Sequence, residues 1–435
     1  MDSRLCIPQR KTGVASMTFV SLLRVAISTL LVTCVSLAIA EEGSFLTDDQ
    51  RAADFASFCQ FVEQDYAYFD VKTTDWRKAC ASYQTQAKSA TDRVAFIELL
   101  ERGLRELYDH HAHLGTSTRR SPRLVPTQAD LVAKWLDGRA IITAVRPTSA
   151  AEKAGLRPGL EVLAIDDQAL AAIVASIEPR FLSRPDPVAR EWALQVALAG
   201  RRDRDVRRVL ARTGENVREF EFVFTSFQPP RLLSHRTVGT IGYIRIHNSL
   251  GQEALVKDFD AALSELTAVR TLVIDLRDTP SGGNSTVARG IIGRFVQEML
   301  PYQRHELVSE YRRTGIRRVW NEYVASRQTP FLQPLIVLVG PWTGSMGEGL
   351  AIGLNATRGA PVLGEPMAHL LGALNEIVLP HSKIPVRVPA EKLSHINGTP
   401  REAFVPRSIA SFKATSVDVE LNEAIDFALE LSFAK

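Results

Sequence analysis

Cysteine is scarce in this 435-residue chain: there are four, of which Cys6 and Cys34 fall in the first forty residues and only Cys59 and Cys80 lie beyond. No Cys/His cluster therefore has the spacing of a zinc site, and no metal is expected. Nor is there a block of like charge. Lys and Arg number 52 against 49 Asp and Glu, and setting aside residues 1–40 removes four basic groups and one acidic, leaving 48 of each. A formally neutral chain without a basic run offers nucleic acid or an anionic membrane surface nothing to hold, and neither is expected as a partner. The longest apolar stretch, VAISTLLVTCVSLAIA, is shorter than the roughly 20 residues a membrane-spanning helix needs. Internal repeats and low-complexity segments are also missing.

What is present begins with that stretch. Arg10-Lys11 and Arg24 precede it, and Ala38-Ile39-Ala40 ends it as an A-x-A cleavage site, so residues 1–40 read as a secretory signal peptide cut near Ala40. The mature chain is then periplasmic or extracellular. A lipidated Cys34 fits less well, because Thr33 precedes it. In an exported chain the remaining pair predicts a Cys59–Cys80 disulfide, with two buried thiols as the alternative. Closing a loop of about 20 residues would contribute about 3 kcal/mol.

The length predicts two or three domains. Residues 41–121 read as a small helical domain. Thr47 opens a helix with Gln50 three residues on, and Phe55, Phe58, Cys59 and Val62 follow at helical spacing. A second helix runs from Trp76 to Ala87, and a third from Asp92 carries Phe96, Leu99, Leu100, Gly103, Leu104 and Leu107 on one stripe. Residues 122–228 follow a Pro122–Pro126 linker. There DGRAIITAVRPTSAAEKAGLRPGLEVLAIDDQAL shows a strand, a short helix ended by Gly155, a Pro158-Gly159 turn and a strand over Glu161 to Ile165. A helical insert from Leu170 to Leu210 and a closing strand around Glu219 to Thr225 are expected. This stretch resembles a PDZ domain at Ala154-Gly155-Leu156, Pro158-Gly159 and Ile165-Asp166, although Leu160 stands where Asp is usual. The resemblance implies capture of a peptide end on a sheet edge; Lys134 to Gly138 is the loop considered for its carboxylate.

Residues 229–435 change to alternating strands and helices: GYIRIH, the helix Ala254 to Leu266, TLVIDL, VARGIIGRFV and LIVLVG. Such β-α-β succession predicts an α/β core with a largely parallel sheet, whose sites gather at the carboxyl ends of strands. Asp275 to Asn284 and Gly340 to Gly347 both lie there.

Four stretches could carry chemistry, and each has a plain structural reading. Ser345 in TGSMGE, followed by Glu348, fits a capping box that starts a helix, or a nucleophile exposed at a strand-to-helix turn beside free N–H groups. Gly282 and Gly283, after VIDLRDTPS, fit either a loop needing positive φ or backbone approaching a ligand. His110, His111 and His113 in DHHAHLG are surface or capping residues, or a base. Glu402 in NGTPREAFVP is an exposed acid by default.

In their order and spacing these four stretches resemble the C-terminal processing (tail-specific) serine peptidases and their tricorn-core relatives, across nearly the whole mature chain. The resemblance implies a ClpP/crotonase-like catalytic core, polypeptide substrates, a PDZ domain recognising their C-termini, and no cofactor; nothing in it assigns an oligomeric state. It matches Ser345 to the nucleophile, with Met346 and one of Gly282 or Gly283 as oxyanion donors and Glu348 as the acid of the serine motif. Thr279-Pro280 depart from the commoner asparagine-bearing loop. The lysine of the tail-specific branch is replaced by Leu370. The tricorn branch instead implies His111 as base and Glu402 as the carboxylate behind it, although Arg407 stands where Asp is common after Pro406. His113 and His369 are the lesser alternatives for the base. The expected activity is an exported serine endopeptidase with a Ser-His-Glu constellation. A catalytically silent peptide-binding protein and a small-substrate esterase or amidase are its rivals.

Overall fold

The computed structural model describes residues 45–226, 231–408, 422 and 425–427. The expected signal peptide and Cys34 lie outside the described residues. Helices form at Asp48–Asp65, Trp76–Lys88 and Arg93–Arg105, each started by a side-chain cap from Thr47, Asp75 and Asp92. Thr47 and Gln50 form the capping box their spacing predicts, and Cys59 and Cys80 are joined as a disulfide between the first two helices. These helices do not own their core. Phe55, Phe58, Leu99 and Leu100 pack in one cluster with Leu379, Ile384, Val386 and Val388 from far along the chain.

The middle of the chain forms a six-stranded antiparallel sheet, ordered Leu131–Leu136, Arg139–Val145, Glu161–Ile165, Val206–Thr213 and Asn216–Val223, with Gln168–Ala169 paired to Glu161–Ile165. Two corrections fall here. The stretch expected to be helical from Leu170 to Leu210 holds helices Leu170–Ile177 and Pro187–Ala199 but then a strand. Gly200 ends the second helix at φ 71°, and Arg207, Val209 and Ala211 alternate inward with the period of two that a strand requires. Lys134 to Gly138 is the end of a strand and its hairpin turn, not a loop shaped to hold a carboxylate. Asp137 and Gly138, at φ 50° and 77°, make the tight Asp-Gly reversal.

The last part of the chain holds two sheets. One is ordered Val362–Gly364, Leu335–Val339, Thr271–Asp275, Ile241–Ile246 and Leu233–Val238; its first three pairings are parallel and the last antiparallel. Helices Ala254–Glu265, Ser285–Ile292 and Met346–Arg358 bury their apolar stripes on one face, around Phe259, Ile291 and Leu350. Ile425 and Phe427 pack against the other face. The second sheet, unforeseen in the sequence, is antiparallel: His113–Leu114, Pro385–Ser394, Leu300–Leu307 and Arg318–Val324, with Ala373–Val378 also on Pro385–Ser394. Its pairing of His113 with Arg387 and Leu114 with Val386 stitches the histidine stretch to the C-terminal third of the chain.

Candidate active site

Two loops leave the carboxyl ends of neighbouring parallel strands, one after Asp275 and one after Val339, and they are bonded to each other. Thr279 and Thr343 form a parallel bridge, the Thr279 N–H donates to Trp342 O at 2.9 Å, and the Gly344 N–H donates to Thr279 O at 3.2 Å. The hydroxyls of Thr279 and Thr343 both donate to Leu276 O, at 2.9 and 2.8 Å. Asp275 anchors the base of this pair, fully buried and bound by Tyr243 and Arg277. The Arg277 guanidinium and its neighbour Arg245 outweigh burial and hold its carboxyl well below the usual range.

Ser345 ends the second loop at the start of helix Met346–Arg358. It is a non-glycine residue at φ 51°, ψ −113°, a conformation that costs an L-residue of order 1–2 kcal/mol. It forms a capping box with Glu348, in which its side-chain oxygen faces the backbone N–H of the third helical residue. The firm half of the box is Glu348 Oε2, which accepts the Ser345 N–H at 2.8 Å and the Leu370 N–H at 3.2 Å. The helix-start and nucleophile readings of the motif are thus compatible: the box uses the oxygen of Ser345 only as an acceptor, and among the described residues its O–H donates to no partner. Glu348 is wholly buried, and burial pushes its carboxyl up to about 7, against an opposing pull from Arg401.

Gly282 lies directly over the serine. A Cβ there would come within 2.5 Å of Ser345 Cβ, 2.8 Å of Met346 N and 2.9 Å of Ser345 Oγ. At Gly283 a Cβ would strike the Leu250 carbonyl at 2.1 Å. Both glycines are therefore demanded by close approach of backbone, and Gly282, at φ 64°, by conformation as well. The Gly282 N–H donates to Thr279 O at 3.1 Å.

The histidines arrive from two directions. His111 is buried, its N–H donating to Asp109 Oδ1 at 2.8 Å and its Nδ1 lying 2.6 Å from Leu371 O. A carbonyl partner assigns the ring proton to Nδ1 and leaves Nε2 as the basic nitrogen. Burial, reinforced by Arg401, lowers this imidazole to about 3, so it is neutral at pH 7. His369, at φ 53°, directs Nδ1 to Glu402 O at 2.5 Å. His113 turns its Nδ1 to His111 O and lines a separate cavity of about 290 Å³. The Glu402 side chain has an unpartnered Oε2 among the described residues, and burial raises its carboxyl. It faces a cavity of about 660 Å³ together with His110, His369 and Asp109.

Ser345, Met346, Gly282 and Glu348 are thus brought together. His111 and Ser345 flank one segment: Leu370 bonds the acid behind Ser345, and Leu371 bonds His111. Among the described residues no hydrogen bond joins the Ser345 hydroxyl to a histidine, or His111 to Glu402. Sequence reasoning missed Arg401. This buried guanidinium donates to Leu370 O at 2.7 Å and Gly372 O at 2.9 Å, pinning the shared segment. Its only signal was adjacency to Glu402.

Residues 240–403 match the family model described as Peptidase family S41. Among solved structures, the photosystem II D1 C-terminal processing protease aligns at TM-score 0.55 and 17% identity, covering 85% of this chain and 95% of that one. Mature CPAF complexed with lactacystin aligns at 0.57 and 14%, covering 88% and 98%. At such identities these likenesses are of fold. Comparison with curated protein sequences gives no match.

Proposed function

We propose that this chain, a serine-type peptidase of family S41, is an exported endopeptidase that cleaves polypeptides through an acyl-enzyme on Ser345. In this reading His111 Nε2 takes the serine proton as the hydroxyl adds to the scissile carbonyl, then returns it to the leaving amine. The N–H of Met346 and an N–H of the Gly282–Gly283 loop stabilise the oxyanion, and Glu402 balances the imidazolium. Water then releases the acyl group by the same path. The observation that carries the reading is Ser345 itself: a strained serine at a helix N-terminus whose O–H donates to no partner among the described residues, with a glycine loop pressed against its Oγ. Arg401 and the Leu370–Leu371 segment support His111 as the base, because they tie it to the structure that holds Ser345. Turnover requires the His111 ring to approach the hydroxyl and the Gly282 N–H, or its neighbour's, to face the substrate.

The helix Pro187–Ala199 packed beside strand Leu131–Leu136 supports a PDZ-like module that admits polypeptide ends, and the Cys59–Cys80 disulfide supports export. A fluorophosphonate probe is expected to label the wild type and to fail on Ser345→Ala; equal labelling of the two would refute the nucleophile. Activity on casein but not on short esters separates a peptidase from an esterase.

One observation favours a second reading, a silent peptide-binding protein: the Gly282 N–H is spent on Thr279 O and no histidine holds the serine. Peptide binding without labelling or turnover, unchanged by His111→Ala, would establish it.

A further inference from the structure

The cavity of about 290 Å³ that His113 lines takes no part in the proposed chemistry, yet its wall carries two arginines without partners. Arg105 is the last residue of the helix Arg93–Arg105. Arg202 follows the helix Pro187–Ala199, where Gly200 reverses the chain at φ 71° and the Arg202 N–H donates to Ser121 O at 3.0 Å. Both side chains line the cavity, and in both Nε is buried with no hydrogen-bond partner. Among the described residues neither guanidinium makes an ion pair, because the nearby carboxylates are committed elsewhere. Asp203 pairs with Arg201 and Asp205 with Arg123, while Asp109 accepts from Tyr66 Oη and the His111 N–H. Arg387, the third arginine of the lining, is paired with Glu376 at 2.6 Å.

Glu101 is the acid that faces the two arginines. Burial raises its carboxyl, with Glu98 adding to the rise and Ser121, Arg105 and Arg202 opposing it. One acid beyond ion-pair distance leaves two guanidinium groups against a single carboxylate. Donors drawn out of water without acceptors are costly, and a planar fork of N–H groups fits the oxygens of a tetrahedral anion two at a time. The Thr116 and Ser117 hydroxyls stand on the same lining and make no hydrogen bond among the described residues. Leu104, Leu114, Pro122 and Leu124 close the remainder. Apolar walls of this kind strengthen a charge pair formed against them.

We propose that this cavity binds a tetrahedral oxyanion of the phosphate or sulfate class, gripped between Arg105 and Arg202 with Thr116 and Ser117 as further donors. The ion would tie the end of one helix to the turn after Gly200 and to the loop that follows strand His113–Leu114. Its effect is read in binding and stability, so the proposal stands apart from the peptidase reading. Inorganic phosphate is titrated into the wild-type protein by calorimetry, and its melting temperature is compared with that in sodium chloride at matched ionic strength. Saturable binding and a higher melting temperature are expected with phosphate and with sulfate, and neither with chloride. Arg105→Gln and Arg202→Gln should each weaken phosphate binding about tenfold or more, the range of one charged hydrogen bond. Glu101→Gln, which removes the competing carboxylate, should tighten it about threefold or more, a gain that misfolding cannot imitate. Phenyl phosphate in a parallel titration separates the sources: tighter binding than inorganic phosphate assigns an ester whose organic part meets the leucine wall, and equal or weaker binding assigns the free ion. Absence of saturable binding at about 20 mM phosphate, beyond the chloride control, overturns the proposal. So does phosphate binding that both arginine variants, folded by near-ultraviolet circular dichroism, keep at wild-type strength.

Discussion

Gly282→Ala tests the site most sharply, because the clash it creates is confined to the reacting groups. The new methyl would sit 2.5 Å from Ser345 Cβ, 2.8 Å from Met346 N and 2.9 Å from Ser345 Oγ. Of these only Ser345 Oγ can turn aside by side-chain rotation; Ser345 Cβ and Met346 N, the two closest, are fixed by the backbone. Ser345 is held by Glu348 through its N–H, and Met346 N belongs to the first turn of a helix. Relief therefore means moving the loop or the serine by several tenths of an ångström. At φ 64° the alanine adds about 1–2 kcal/mol of backbone strain. Losing one oxyanion donor slows acyl transfer by about 10²–10³, and a misplacement approaching 1 Å costs about 10². A fall in kcat of about 10² or more is expected on a quenched-fluorescent peptide, with slower fluorophosphonate labelling and a loss of a few kcal/mol in urea unfolding. Gly214→Ala is the control: it carries φ 57° with nothing within 4 Å of the added methyl, so it should lose stability through strain alone and keep kcat. A folded Gly282→Ala protein with kcat within about twofold of wild type would refute the oxyanion-loop assignment.

Three further outcomes are expected. His111→Ala should abolish peptide turnover while His369→Ala retains most of it, measured as kcat; the opposite ranking would transfer the base to the histidine bonded to Glu402 O. Glu348 has its carboxyl raised from 4.5 to about 7 by burial, so between those values the folded state keeps a proton that the unfolded chain has lost. Stability should therefore fall by about 3 kcal/mol as pH rises through that window, and Glu348→Gln should flatten the urea-midpoint profile between pH 5 and pH 8. The Cys59–Cys80 bond spans 21 residues, so Cys59→Ser with Cys80→Ser should cost about 3 kcal/mol in the chain-entropy model; an unchanged melting temperature would place the stability of these helices in their shared core instead.

What was legible in the sequence was local. Thr47 with Gln50, and Asp92, mark helix starts, because a cap acts on backbone only two or three residues away. TLVID and LIVLV, buried at every position, read as interior strands, and the loops after them were placed by the rule that sites gather at strand ends. Glu348 was legible as Ser345's partner for the same reason: its bond spans three residues. The five-stranded antiparallel sheet was not, since His113 meets Arg387 and Glu306 meets Lys392 through register that no short window contains. The helical insert failed where Val206–Thr213 interleaves arginine with apolar residues, a pattern in which Arg207 is buried and so hides the alternation.

The site itself divides along the same line. Ser345, Gly282 and Glu348 were legible because two adjacent strand ends and one helix start generate them. The placing of the histidine rings was not, because it depends on Leu371 and Arg401, hundreds of residues from the histidines they organise; the choice of His111 came from the family resemblance alone. A motif that offers three histidines within four residues specifies only that one ring can face the core. Which ring does so is decided by the carbonyl waiting there: Leu371 O selects His111, His111 O takes up His113, and Trp192 stacks on His110 at a ring-centre distance of 5.9 Å. Selection by a distant carbonyl also couples the two sides of the site, since any shift of the Leu370–Leu371 segment would move the acid behind Ser345 and the His111 imidazole together.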